Sequence, residues 1–168
     1  MTLHAETTTA SSTTAPAPAA TDGSVTSYTG LLERVRYEGA YPTRERADQA
    51  VRSVLAALGR QLVGDERVQL AARLPFEAAL TLTAQIPAVT PLGGWEFVKD
   101  IARSTGGSLA TTRWDVGAVL VPVAHLAGPA LTDRIIRQLP SGYALLFGRP
   151  ELLPARGAGP GERERGDR

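Results

Sequence analysis

The sequence predicts an all-α protein: a compact helical bundle of two tandem, diverged four-helix units set between disordered tails. Three observations predict it. The chain resembles itself when slid by 65 residues, one segment of the first copy is a clear amphipathic helix, and both ends lack the apolar residues a core requires.

At the 65-residue offset Leu74-Pro75 falls on Leu139-Pro140, Leu70 on Ile135, Leu58 on Val123, Leu55 on Leu120, Val54 on Val119 and Val51 on Val116. One residue of slippage before the long helix brings Leu31 onto Phe97 and Val35 onto Ile101, so the match covers the whole unit. The expected organisation is a Thr/Ala/Pro-rich tail over 1–27 and a single helical domain over 28–155. Within the domain, repeat 1 occupies about 29–82, a connector 83–94 and repeat 2 about 95–148, and a charged tail follows over 156–168.

Taken in order, the first 27 residues are Thr, Ala, Ser and Pro with almost no large apolar side chain, too little to offset the entropy of ordering. Repeat 1 should open with a helix from Thr29 to Glu38. Its long helix, Thr43 to Val63, places Ala47, Ala50, Val51, Val54, Leu55, Leu58 and Leu62 on one face by i, i+3, i+4, i+7 spacing, with Arg44, Asp48, Arg52 and Arg60 on the remainder. A third helix runs from Asp65 to Arg73, and a short one follows Pro75, which suits a first helical position.

The connector AQIPAVTPLGG is broken by proline and glycine. Repeat 2 should then have helices from Trp95 to Ser104, Leu109 to Ala127 and Pro129 to Gln138, and a short one after Pro140. The stretch GAVLVPVAHLAG has the β-branched content of a strand, but its alignment with the amphipathic helix of repeat 1 overrides that propensity. Thr43 and Ser108 are the natural N-caps of the two long helices. The final ARGAGPGERERGDR has no apolar period and should be disordered.

Eighteen basic side chains face seventeen acidic ones, and the net charge of +1 sets up no field to attract nucleic acid or an anionic membrane. With no cysteine, disulfides, thiol nucleophiles and cysteine-ligated metals are excluded. No signal-peptide pattern opens the chain, and Val116 to Ala127, its longest apolar stretch, is too short to span a bilayer, so the expected location is the cytoplasm. Lys99 is the only lysine, and the arginines are scattered.

The order of features resembles the bacterial domain of unknown function 2267 family, whose two related helical halves each end in a Leu-Pro step and a short helix. In the first half the residues carrying the resemblance are Ala47, Ala50, Val51 and Leu55, then Gly64-Asp65-Glu66, Leu70 and Leu74-Pro75. In the second they are Trp95, Phe97 and Ile101, then Val119, Leu120, Leu139-Pro140, Tyr143, Leu146 and Phe147. The resemblance spans about residues 29 to 148 and departs at Pro122, at Gly128-Pro129 and in the connector. It implies a helical fold and points away from a familiar enzyme.

The functional expectation is a non-enzymatic protein-interaction or assembly module with no catalytic residue, cofactor or metal. Its candidate surface is Val121, Pro122, His125, Trp95 and Trp114. The second long helix is apolar nearly all round, which marks either a central core helix or one shared with a partner, and Pro122 should kink it and open a groove. A protein partner or self-association is expected, without membrane insertion.

Two alternatives stand beside it. A helix-turn-helix-like element would turn Arg67 and Arg73 toward nucleic acid, against the balanced charge of each copy. An enzyme or small-ligand site would need a pocket in which His125 meets a carboxylate or arginine, although a lone histidine is ordinarily just a helix residue. Asp65-Glu66 sits where a helix N-terminus favours negative charge for stability alone, Asp115 and Asp133 read as structural, and Gly93-Gly94 and Gly106-Gly107 read as turns.

Overall fold

A computed structural model describes residues 27–150, so both expected tails, apart from Ser27, and residues 151–155 lie outside the described residues. The described chain is helical, without a strand, in two runs of four helices. The first run comprises α1 (Tyr28–Glu38), α2 (Arg44–Gln61), α3 (Gly64–Arg73) and α4 (Phe76–Thr83). The second comprises α5 (Gly94–Thr105), α6 (Leu109–Ala127), α7 (Pro129–Gln138) and α8 (Tyr143–Leu146). Among the described residues no helix is long and apolar enough to cross a membrane.

Local chemistry sets the helix ends. Thr43 accepts the Arg46 N–H at 3.2 Å and Ser108 the Thr111 N–H at 3.1 Å, both as expected of N-caps, and Ser27 caps α1 in the same way. α2 ends at Gln61, short of Val63, and Pro75 is the cap residue before α4 rather than its first turn. Gly128, at φ 81, makes the reversal from α6 into α7, a conformation in which a Cβ would be strained.

Apolar periodicity determines which faces meet. Val51, Val54, Leu55 and Leu58 of α2 join Val116, Val119, Leu120 and Val123 of α6 in one solvent-free core, with Val35, Leu70, Phe97 and Ile135 supplied by the other helices. Each such side chain contributes about 1.5–3 kcal/mol on burial. α6, ambiguous from sequence, is the central helix: it packs against α1, α2, α3, α5, α7 and α8, and runs uninterrupted through Pro122.

The contacts obey a pseudo-two-fold exchange of the two halves. α1 lies against α2 and α6, α5 lies against α6 and α2, the long helices pack on each other, and α3 packs on α7. At the α3–α7 contact Arg134 donates to the Gln69 carboxamide oxygen, and these residues are 65 apart, the same position in the two repeats. The long helices' C-termini are also satisfied alike. Arg67 donates to the Gly59 carbonyl at 2.9 Å, and Thr132, its counterpart, donates to Ala124, the counterpart of Gly59, at 3.3 Å.

Candidate interaction surface

The exposed side of α6 follows from what remains after its core face is buried. Trp114, Gly117, Val121 and His125 fall at successive three- and four-residue steps and form a stripe facing away from α2. Along this stripe lie three depressions. One of about 450 Å³ is bounded by Trp114, Val121, Leu145 and Glu38. Another, of about 340 Å³, lies between His125 and Val121 on one side and Phe147, Gly148 and Arg149 on the other.

The largest, about 610 Å³, is an open groove between α1 and α6. Leu31, Pro122 and Leu126 form its apolar floor, and Glu33, Arg34, Tyr37, Glu38 and His125 its rim. Of the five candidate residues, Trp114, Val121, Pro122 and His125 are therefore brought together along α6. Trp95 is not: it stands on α5, 54% exposed, with the Lys99 ammonium 6.0 Å from its ring centre, and lines none of the three depressions. Trp114 is 59% exposed, yet its indole N–H donates to the Gly39 carbonyl at 3.0 Å, tying the α1–α2 turn to α6.

Polar groups around the groove differ in how far they are committed. Glu33 accepts from Arg44 at 2.8 Å and Arg36 at 2.9 Å, and these hydrogen bonds, Arg44's first, hold its carboxyl below the ordinary glutamate range. Arg34 and His125 have no side-chain hydrogen bond or ion pair among the described residues. Asp115 accepts from the Tyr41 hydroxyl and from Arg46, both at 2.6 Å, and Asp133 pairs with Arg149, so neither acid is available for chemistry with the other. Among the described residues no group of three or more His, Asp or Glu could hold a metal ion.

The groove has a counterpart, because the exchange of halves maps the α1–α6 junction onto α5–α2. There Arg60, the equivalent of His125, pairs with Asp100, the equivalent of Arg34, at 3.1 Å. The connector crosses its end at the C-terminus of α2, with the Ala88 N–H donating to the Arg60 carbonyl at 2.7 Å and the Leu92 N–H to the Gln61 side chain at 2.7 Å. The Tyr143 hydroxyl holds the connector's end by donating to the Leu92 carbonyl at 3.1 Å.

The element that sequence reasoning missed is the guanidinium of Arg67. It donates to the carbonyls of Gly59 and Leu62 at the end of α2 and of Leu82, Thr83 and Gln85 at the end of α4, at 2.6–3.4 Å. The residue that a helix-turn-helix reading turns toward nucleic acid is instead a clasp between two helix C-termini. The signal was its place one turn before Leu70 and Ala71 and two before Leu74, on the inward face of α3.

A comparison with curated proteins finds no match. A model of the family described as an uncharacterized conserved protein, DUF2267, matches residues 28–146, the helical core from α1 through α8, and the chain belongs to that family.

Proposed function

We propose that the chain is a non-enzymatic protein-interaction module that holds an extended polypeptide segment in the groove between α1 and α6. The observation that carries this reading is the inequality of the two pseudo-equivalent junctions: where one is clasped by Arg60 and Asp100 and crossed by the connector, the other has, among the described residues, an apolar floor and an uncommitted Arg34 and His125. An apolar cleft with a few polar groups on its rim is the usual form of a recognition site. A segment entering it would make backbone hydrogen bonds as the connector does, and Arg34 favours an acidic residue in it.

Selection of peptides from a displayed random library on the full chain tests the reading. Enriched peptides should bind the native protein and lose at least tenfold in affinity against Thr29→Trp, which fills the groove from an exposed position of α1. Binders indifferent to that substitution would refute it.

A second reading, a small-ligand or catalytic pocket, is favoured by the presence of His125, Arg34 and Glu33 on one rim. Saturable displacement of the His125 ring signals by acetate or phosphate, with no peptide binding, would favour it over the first.

A further inference from the structure

The internal repeat itself suggests an occupant. The connector that crosses the α2–α5 junction follows α4, and by the same order the chain that follows α8 should come to the α1–α6 groove. The sequences agree: the connector reads Gln85-Ile86-Pro87-Ala88, and 67 residues on the chain reads Leu152-Leu153-Pro154-Ala155, a shift of two from the helical repeat; Ile86 is 85% exposed, so the match bears on the path of the backbone and not on burial of Leu153.

Where the described chain ends fits this. Gly148 and Arg149 lie in the depression that also contains His125, and His125 is at once a wall of the groove. Arg149 is pinned there by its N–H to the Ala144 carbonyl at 2.8 Å and by its pair with Asp133. Five residues have a fully extended reach of about 17 Å at 3.3–3.6 Å per residue, comparable with three turns of helix.

Chemistry at the groove matches the segment. Its floor of Leu31, Pro122 and Leu126 suits an apolar side chain such as that of Leu152, and Glu151 is an acid for Arg34, in a groove whose Glu33 is already neutralised by Arg36 and Arg44. Glu38, the other acid of the rim, lies one helical turn beyond Arg34. A backbone acceptor is also in place. The Ala88 N–H meets the Arg60 carbonyl, and the equivalent His125 carbonyl faces Pro129 at the i+4 position, which has no N–H to give it.

We propose that the segment Glu151–Ala155 of this chain docks in its own α1–α6 groove, crossing it beside His125 as the connector crosses the opposite junction beside Arg60, so that an outside segment binds by displacing it. This rests on the groove being a site for extended polypeptide. A tethered segment acts at about a millimolar effective concentration, so a contact with a dissociation constant about tenfold lower keeps it docked.

The absence of cysteine permits a single label. With Ala155→Cys carrying a nitroxide in the full chain, the amide signals of Gly30, Arg34 and Leu126 should broaden, and adding Leu152→Asp and Leu153→Asp should restore them. Broadening confined to residues beside Arg149, or unchanged by the two aspartates, overturns the proposal. So does broadening that appears at full strength when labelled protein is mixed with unlabelled isotope-enriched protein, because the segment is then docking on a second copy.

Selected peptides should bind the two-aspartate variant at least tenfold more tightly than the native chain. Equal affinity for both, with the Thr29→Trp effect retained, would remove the docked segment and leave the interaction module standing. A docked segment with no peptide binding to the opened variant would do the reverse.

Discussion

The two junctions between the halves of this protein begin from equivalent helices and end differently. At α2–α5 a cation and an anion face each other, Arg60 with Asp100, and the connector supplies backbone donors at that end, while a depression of about 370 Å³ beside Gln49, Ser53, Ile101 and Thr105 lies farther along the same junction. At α1–α6 the equivalent residues are His125 and Arg34, two groups that do not attract, and a groove of about 610 Å³ remains. The difference teaches that in a duplicated bundle the core positions are constrained by packing, whereas the rim positions are free to diverge. A few rim substitutions therefore leave a larger groove at one of two equivalent seams.

The strongest way to break the comparison is at the clasp the halves share. Arg67→Ala removes the donor for five carbonyls at the ends of α2 and α4 and should cost about 3 kcal/mol, because hydrogen bonds from a charged donor are worth about 1.5–3 kcal/mol and the orphaned carbonyls are partly buried. Thr132→Val, at the same repeat position, removes one hydroxyl donor at nearly constant shape and should cost about 1 kcal/mol. Urea unfolding of both variants measures the ratio. Equal losses would mean that Arg67 works by packing alone.

A smaller effect sharpens the difference directly. Installing the missing pair with Arg34→Asp and His125→Arg should give a coupling of about 0.5 kcal/mol in a double-mutant cycle, as for a partly exposed ion pair. It should also weaken selected peptides, since the clasp crosses the groove. A coupling of zero would place Arg34 and His125 too far apart to meet.

Smallest is the acid response of the rim. The folded-state carboxyl of Glu33 is depressed by its arginines, so its contribution is present above the unfolded value near pH 4 and is lost as pH falls through the lower folded value. Glu33→Gln should therefore lower the urea midpoint slightly at pH 7 and converge on the native midpoint as the pH falls through the depressed folded-state value. A difference that grows toward low pH would contradict the assigned direction.

Much of the fold was legible because helices are local. The positions of Val51, Leu55 and Leu58 announced α2, Ser108 and Thr43 announced the caps, and α6 and α7 begin and end at the residues that the sequence marks. α6 needed its repeat partner to be read as a helix, since its β-branched run pulled the other way. The site was legible only in part. Trp114, Val121, Pro122 and His125 share a helix, so spacing alone brought them together, but Trp95 is on α5 and could be assigned only by knowing how α5 packs. Arg67 was misplaced because a charge count treats every arginine as solvent-facing, while its helical face points inward.

By itself the sequence determined the helices, most of their ends and which face of each is apolar, because those follow from interactions within three or four residues and from the 3.6-residue period. Tertiary structure decided that α6 is central rather than peripheral, that Arg67 closes two helix C-termini, and that among the described residues the α1–α6 seam has the larger groove. Those outcomes depend on groups tens of residues apart meeting in space, such as the Arg60 and Asp100 charges or the Ala88 N–H and the Arg60 carbonyl, and no local pattern encodes which distant partner is present.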